Sequence, residues 1–294
     1  MRAVAILVLA AVLADAGCGS NGDAAKPAQG GAGAGTLEAL WKRPGEDVSL
    51  VMGTADYAPG PNRISFLVLT HAARPVERPR ARVWLARSLG ARPFLRGTAR
   101  LERVSDAISI YVTNMRVAEP GTYFLLAEPV GGSKIQGLGN VVVRDKSAAP
   151  ALGAEAFPSE NPTVADSPAE KITTARPPDT ALLQVSVKQA LERHAPFVVA
   201  FATPKFCASR TCGPVVDVVE SVRERFAGGI DFIHVEIYKD NNPALGPNRW
   251  VQEWRLPSEP WVFLVGADGR IKAKFEGAVS VRELRRAVRT TLAG

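Results

Sequence analysis

The sequence predicts an all-β domain followed by an α/β domain, and three observations predict it. The chain has 294 residues, about twice a common domain length of roughly 150. Residues 37–146 hold short β-branched and aromatic runs bounded by Gly, Pro or Asn, with no competing helical repeat. From residue 181 onward, continuous apolar runs alternate with stretches of helical period, the order of an α/β sheet. The net charge is +7, and three histidines (His71, His194, His234) are too few for a multi-histidine zinc site. No metal and no cofactor is expected.

Residues 1–17 read as a signal peptide. Arg2 is a minimal positive region, and the apolar run AVAILVLAAVLA that follows suits a signal core and is short for a bilayer span. The sequence LADAGCGS then allows two cuts. Ala14-Asp15-Ala16 fits an ordinary signal-peptidase site. Ala16-Gly17-Cys18 resembles the end of a bacterial lipobox, which implies lipidation of Cys18, although Asp15 stands where that family usually has Leu. An unpaired thiol would be odd in an oxidising compartment, and residues 18–36 read as a flexible tether, so lipidation is favoured. The chain is expected in the cell envelope, anchored on the outer face of the cytoplasmic membrane.

In residues 37–146 the strands are read at 63–70 (RISFLVLT), 81–86 (ARVWLA), 107–113 (AISIYVT), 121–127 (GTYFLLA) and 140–144 (NVVVR). This spacing predicts an antiparallel sandwich, and EPGTYFLLA resembles a late strand of immunoglobulin-like domains, without their core disulfide. Between Arg74 and Arg103 lie nine arginines against Glu77 and Glu102. Period-two alternation puts the arginines of RARVWLAR (80–87) largely on one solvated face. No nucleic acid is expected as partner; anionic lipid or an acidic partner fits an exported protein better.

Residues 147–180, with six prolines, read as an extended linker between two independently folded pieces. Beyond it, the Ser-x-x-Gln box at Ser186 opens a short helix. FVVAF (197–201) is a strand covered on both faces. A loop holding Cys207 and Cys212 leads to Gly213-Pro214 and a helix with Val215, Val216, Val219 and Val222 on one side. Residues 231–237 are expected as a second central strand and 248–254 as a short helix. Residues 261–265 and 270–275 form a hairpin, and the Ser280-x-x-Glu283 box caps a last helix.

This order, with Cys-Gly-Pro where the first strand turns into its helix, resembles the thioredoxin family over residues 181–294. FVVAF with the cysteine loop, KDNNP (239–243), SEP (258–260) and VGADGR (265–270) carry the resemblance. It implies a cis Glu259-Pro260 bond and a client chain held beside Pro260 and Glu259. It also implies thiol-disulfide exchange with protein thiols or disulfides through Cys207 and Cys212. The family's motif is Cys-Gly-Pro-Cys, whereas Val215 here replaces the second cysteine and leaves Cys207 as the internal partner. The helix N-terminus, beginning near Gly213, and Arg210 lead to the expectation that Cys212 has the lowered pKa. The family's buried acid in the first strand aligns with Ala200. Glu236, near the family's lysine, and His234 on the same strand face are candidate proton relays.

Three alternatives stay open. A structural Cys207–Cys212 bridge would make the domain a non-catalytic binding module. A peroxiredoxin-like peroxidase also uses C-x4-C, but places Pro seven and Thr three residues before its first cysteine, where this chain has Ala200 and Pro204. A copper-site assembly protein would use Cys207, Cys212 and His234 as ligands for Cu(I).

Overall fold

The structure is a computed structural model that describes residues 33, 35–46, 48–226 and 228–293. The signal peptide, both cleavage sites and Cys18 lie outside the described residues. Residues from 32 onward cluster as one compact unit.

A short helix α1 (Leu37–Trp41) precedes seven antiparallel strands: β1 (Val48–Met52), β2 (Gly60–Thr70), β3 (Arg80–Ala86), β4 (Leu95–Arg103), β5 (Ser109–Val117), β6 (Gly121–Pro129) and β7 (Gly137–Val143). They are hydrogen-bonded in one order, β1-β2-β5-β4-β3-β6-β7. The sequence reading expects two sheets, and the difference has one cause. The five strands it identifies would pair as β2-β5 and β3-β6-β7, but the arginine-rich β4 pairs with both β3 and β5 and joins the groups. The sheet then curls until its edges nearly meet. Glycines on β7 permit the approach, since a Cβ at Gly137 would lie 3.0 Å from Leu50 of β1, and bridges Glu46↔Ile135 and Tyr57↔Val143 tie the ends. Ile64, Phe66, Val83, Leu85, Tyr111 and Leu125 fill the interior.

The second sheet has order β11-β10-β8-β9, built from β8 (Phe197–Ala202), β9 (Asp231–Glu236), β10 (Trp261–Val265) and β11 (Ile271–Glu276). β8 and β9 are parallel; β10 runs against both β8 and β11. Around them lie α2 (Ala169–Ile172), α3 (Val187–Glu192), α4 (Cys212–Arg223), α5 (Arg249–Glu253) and α6 (Val281–Thr291). Both capping boxes form, at Ser186 and Ser280. β9 is an edge strand rather than the central one expected. It is nevertheless buried, because a 3₁₀ turn at Thr180–Leu183 packs against it. Phe197, Phe201, Trp254, Trp261 and Phe263 fill one side of the sheet, and the valines of α4 with Leu284 and Val288 of α6 fill the other.

That second core does not stop at the α/β half. Val104, Ile110 and Val112, from the outside of the curled sheet, belong to the same hydrophobic cluster as Phe275, Ala278, Val279 and Leu284. Polar groups reinforce the seam. Arg63 donates to both carboxylate oxygens of Glu283 at 3.0 Å and to Ala278 O at 2.8 Å. Glu276 accepts the amides of Ala55 and Asp56 at 2.8 Å. Glu102 accepts from Ser280 Oγ at 2.8 Å and from Arg282 Nε at 3.0 Å.

Candidate functional site

β8 is apolar at every position and wholly buried, so it fixes the point at which the chain leaves the sheet. The loop then turns twice, with Phe206 N donating to Thr203 O and Arg210 N donating to Cys207 O at 3.1 Å. Arg210 closes the second turn in the left-handed region, φ 58°. The chain is thereby returned to the start of α4 with the Cα atoms of Cys207 and Cys212 5.9 Å apart, and the two are joined as a disulfide. That separation lies in the ordinary bridging range.

The two sulfurs have different surroundings. Cys212 is the first residue of α4 and lies on its inner face with Val215, Val216 and Val219, fully buried. Cys207 is only partly buried. The amide of Cys212 donates to Cys207 Sγ at 3.3 Å, and Ser209 Oγ lies 3.2 Å from the same sulfur and 2.7 Å from Thr211 Oγ1. The free amides and dipole of the α4 N-terminus therefore act on Cys207. The sequence reading expects the helix start to act on Cys212, whereas the amide donated there reaches Cys207 Sγ. Helical side chains tilt toward the N-terminus and a residue on the inner face meets the core, so the helix start that was to activate Cys212 instead buries it. Arg210 enters through its backbone; the groups on the Cys207 sulfur are the Cys212 amide and the Ser209 hydroxyl. Beside them Gly213 faces open space, with nothing within 4 Å of where a Cβ would stand.

The other named residues gather at the same end of the sheet. Trp261 pairs with Phe201, which sets Pro260 beside the end of β8, and the Glu259-Pro260 bond is cis. Pro260 is buried, its carbonyl accepting from Gly277 N at 2.8 Å. Burial pushes the Glu259 carboxyl above its ordinary pKa. Glu236 pairs in register with Ala202 and His234 with Ala200.

His234 and Glu236 are fully occupied by neighbours. His234 Nε2 lies 3.0 Å from Ala202 O and Nδ1 3.3 Å from Thr173 Oγ1. A neutral ring protonated at Nε2 satisfies both contacts, and burial lowers the histidine pKa in the same direction. Glu236 Oε2 accepts from the amide and the hydroxyl of Thr174, both at 2.8 Å, and Oε1 from Ile237 N at 3.1 Å. Thr174 Oγ1 also accepts from Lys205 N at 3.2 Å, so it links Glu236 to the strand end that carries Cys207. Sequence reading missed Thr173 and Thr174, since nothing marks them within a Pro-rich stretch. No hydrogen bond joins His234 or Glu236 to either sulfur among the described residues. The set Cys207, Cys212 and His234 does not form a Cu(I) site here, as the sulfurs bond each other and both ring nitrogens are engaged. A cleft of about 470 Å³ opens beside the loop, lined in part by Lys171, Thr174, Lys205 and Phe206.

No protein-family model matches the sequence, and no curated protein matches it. Among solved structures, chloroplastic thioredoxin z is 18% identical, with 36% of this chain and 86% of that chain covered and a TM-score of 0.29. A thiol:disulfide interchange protein of the thioredoxin family from Chlorobium tepidum TLS is 15% identical, with 50% and 99% covered and a TM-score of 0.32. MtrC from Shewanella baltica OS185 is 12% identical, with 37% and 24% covered and a TM-score of 0.25.

Proposed function

We propose that this chain is an exported, lipid-tethered thioredoxin-like protein that exchanges disulfides with protein thiols outside the cytoplasm, meeting its client at Cys207 and resolving at Cys212. The observation that carries this reading is the hydrogen bond from the Cys212 amide, at the start of α4, to the partly exposed Cys207 sulfur. A thiolate at Cys207 would receive that amide and the Ser209 hydroxyl, the kind of surroundings that lower a thiol pKa.

In the reducing direction the Cys207 thiolate attacks one sulfur of the client disulfide. The client S–S bond breaks, its first sulfur leaves as thiolate, and a mixed disulfide joins the client to Cys207. Cys212 then attacks Cys207 Sγ, the mixed bond breaks, and the second client sulfur leaves, taking the proton that Cys212 gives up. The client gains two electrons from the chain and one proton from Cys212, its first thiolate taking a proton from water, and the chain is left with the Cys207–Cys212 bridge seen in the structure. Oxidation of a client dithiol runs the same exchanges in reverse. The open surface at Gly213 leaves room for the client chain, and Pro260 with Glu259 would flank it.

Alkylation of the reduced protein across pH, read by mass spectrometry, tests the assignment. Cys207 should react first, with a pKa below the free-thiol value of about 8.5. Cys212→Ser should accumulate a mixed disulfide with insulin, while Cys207→Ser should form none and lose insulin reduction. A bridge potential below about −300 mV with no mixed disulfide would instead identify a structural staple in a binding module.

A further inference from the structure

The arginines of β3 and β4 form a patch that stability does not explain. Arg80 stands directly opposite Arg100 in the antiparallel register, with Arg82 opposite Thr98 and Arg96 opposite Trp84. All four arginines are exposed on the outer face, because Ala81, Val83, Leu85 and Ala99 take the inner one. Like charges directly opposite each other destabilise a sheet. Charged residues often protect an edge strand from pairing, yet β3 and β4 are interior strands. Arg82 is paired with Glu128, but Arg80, Arg96 and Arg100 have no carboxylate partner among the described residues. Arg80 and Arg100, with Arg78, Arg103 and Arg282, line a concavity of about 720 Å³.

The same outer face receives the N-terminal segment. Leu37 of α1 packs on Ala86 and Leu126, with Trp84 beside them, and these are the outward positions of β3 and β6 that continue the row of Arg80 and Arg82. The first helix among the described residues thus lies on the arginine face.

We propose that this face is a docking surface for the phosphates of anionic phospholipid headgroups, holding the body of the protein against the membrane. Guanidinium groups match phosphate oxygens in a two-pronged geometry. A broad, open concavity on which Arg80 and Arg100 have no carboxylate partner among the described residues, Arg103 and Arg282 being paired with Asp106 and Glu102 and Glu77 also lying on the lining, suits many singly charged headgroups better than one small anion. A basic surface adds an electrostatic attraction to anionic headgroups beyond what the acyl chains of an N-terminal anchor supply. The proposal does not depend on exchange at Cys207.

The test uses the full chain with vesicles of phosphatidylcholine alone or mixed with phosphatidylglycerol. Phenylglyoxal modification of Arg80 and Arg100, followed by mass spectrometry, should slow on the mixed vesicles and not on the neutral ones, with Arg225 unchanged on both. In co-sedimentation, Arg80→Gln/Arg100→Gln should lose roughly 30-fold in preference for the mixed vesicles, about fivefold for each arginine. Arg225→Gln/Arg249→Gln, with the same net charge, should keep the preference. Equal modification on both vesicle types overturns the proposal, as does a preference that survives Arg80→Gln/Arg100→Gln. Protection by soluble polyphosphate but not by the mixed vesicles would overturn the membrane assignment. Unfolding of Arg80→Gln/Arg100→Gln at the wild-type temperature or above is expected, since a like-charge pair is removed.

Discussion

Cys207 and Cys212 are chemically identical in the chain and are distinguished only by where α4 begins. Starting the helix at Cys212 commits that side chain to the core and turns its amide toward Cys207. His234 is a second residue whose behaviour follows from its neighbours. Its ring is held neutral by burial, between Ala202 O and Thr173 Oγ1, so its folded pKa lies below the ordinary 6.5. The unfolded state therefore binds more protons as the pH falls through that value. The stability contributed by the neutral ring is complete above pH 6.5 and is lost progressively as the pH drops toward the folded value. Urea midpoints at pH 7.5 and 5.5 should differ, with the lower one at pH 5.5. His234→Gln should flatten this part of the profile while costing about 1–3 kcal/mol at neutral pH through its unsatisfied partners. An unchanged slope in His234→Gln would assign the pH dependence to other groups.

Among the elements, the connection between β11 and α6 is the one most closely fitted to the other half. Gly277 has φ 70° there, and a Cβ at this position would strike the carbonyl oxygen of Gly53, just beyond β1. Gly277→Ala should cost at least about 2 kcal/mol, combining the left-handed strain of about 1–2 kcal/mol with the collision. Gly153→Ala is the control, because its φ is 81° and its Cβ would meet nothing within 4 Å. If urea denaturation shows equal losses for both, the Gly53 contact contributes nothing. Elements were legible in the sequence where composition and period agreed. The continuous apolar run of β8, the valine spacing of α4 and both capping boxes formed as the sequence indicates. β4 was not legible, because LRGTARLER has three arginines, a glycine and few apolar residues, and its pairing with both neighbours decides the sheet. Thr173 and Thr174 were also silent, since a threonine that satisfies a buried histidine or glutamate looks like any other in a Pro-rich segment.

At the scale of the whole molecule, β5 held a signal of what covers it. Tyr111 points into the curled sheet, yet Ile110 and Val112 on the opposite face are apolar and buried as well, as expected of a strand covered on both sides. The cover is the α/β half. Separating the halves would expose that cluster and strand polar groups that have little access to water. The Arg63 and Glu283 side chains are 11% and 15% exposed, and the Glu102 side chain is 8% exposed. Unfolding either half alone would break these pairs and leave the other half's share of the apolar cluster in water, which opposes it. The expectation is therefore a single cooperative transition for residues 33–293, with tryptophan fluorescence and far-ultraviolet circular dichroism coinciding and the calorimetric enthalpy equal to the van 't Hoff value. Ile110→Ala extends the test, because it removes about 2–5 kcal/mol of packing from a β5 side chain. In a coupled molecule it lowers the unfolding temperature reported by Trp254 and Trp261, which lie in the other half. Two separate transitions, or an Ile110→Ala effect confined to the seven-stranded sheet, would show that the seam does not couple the halves.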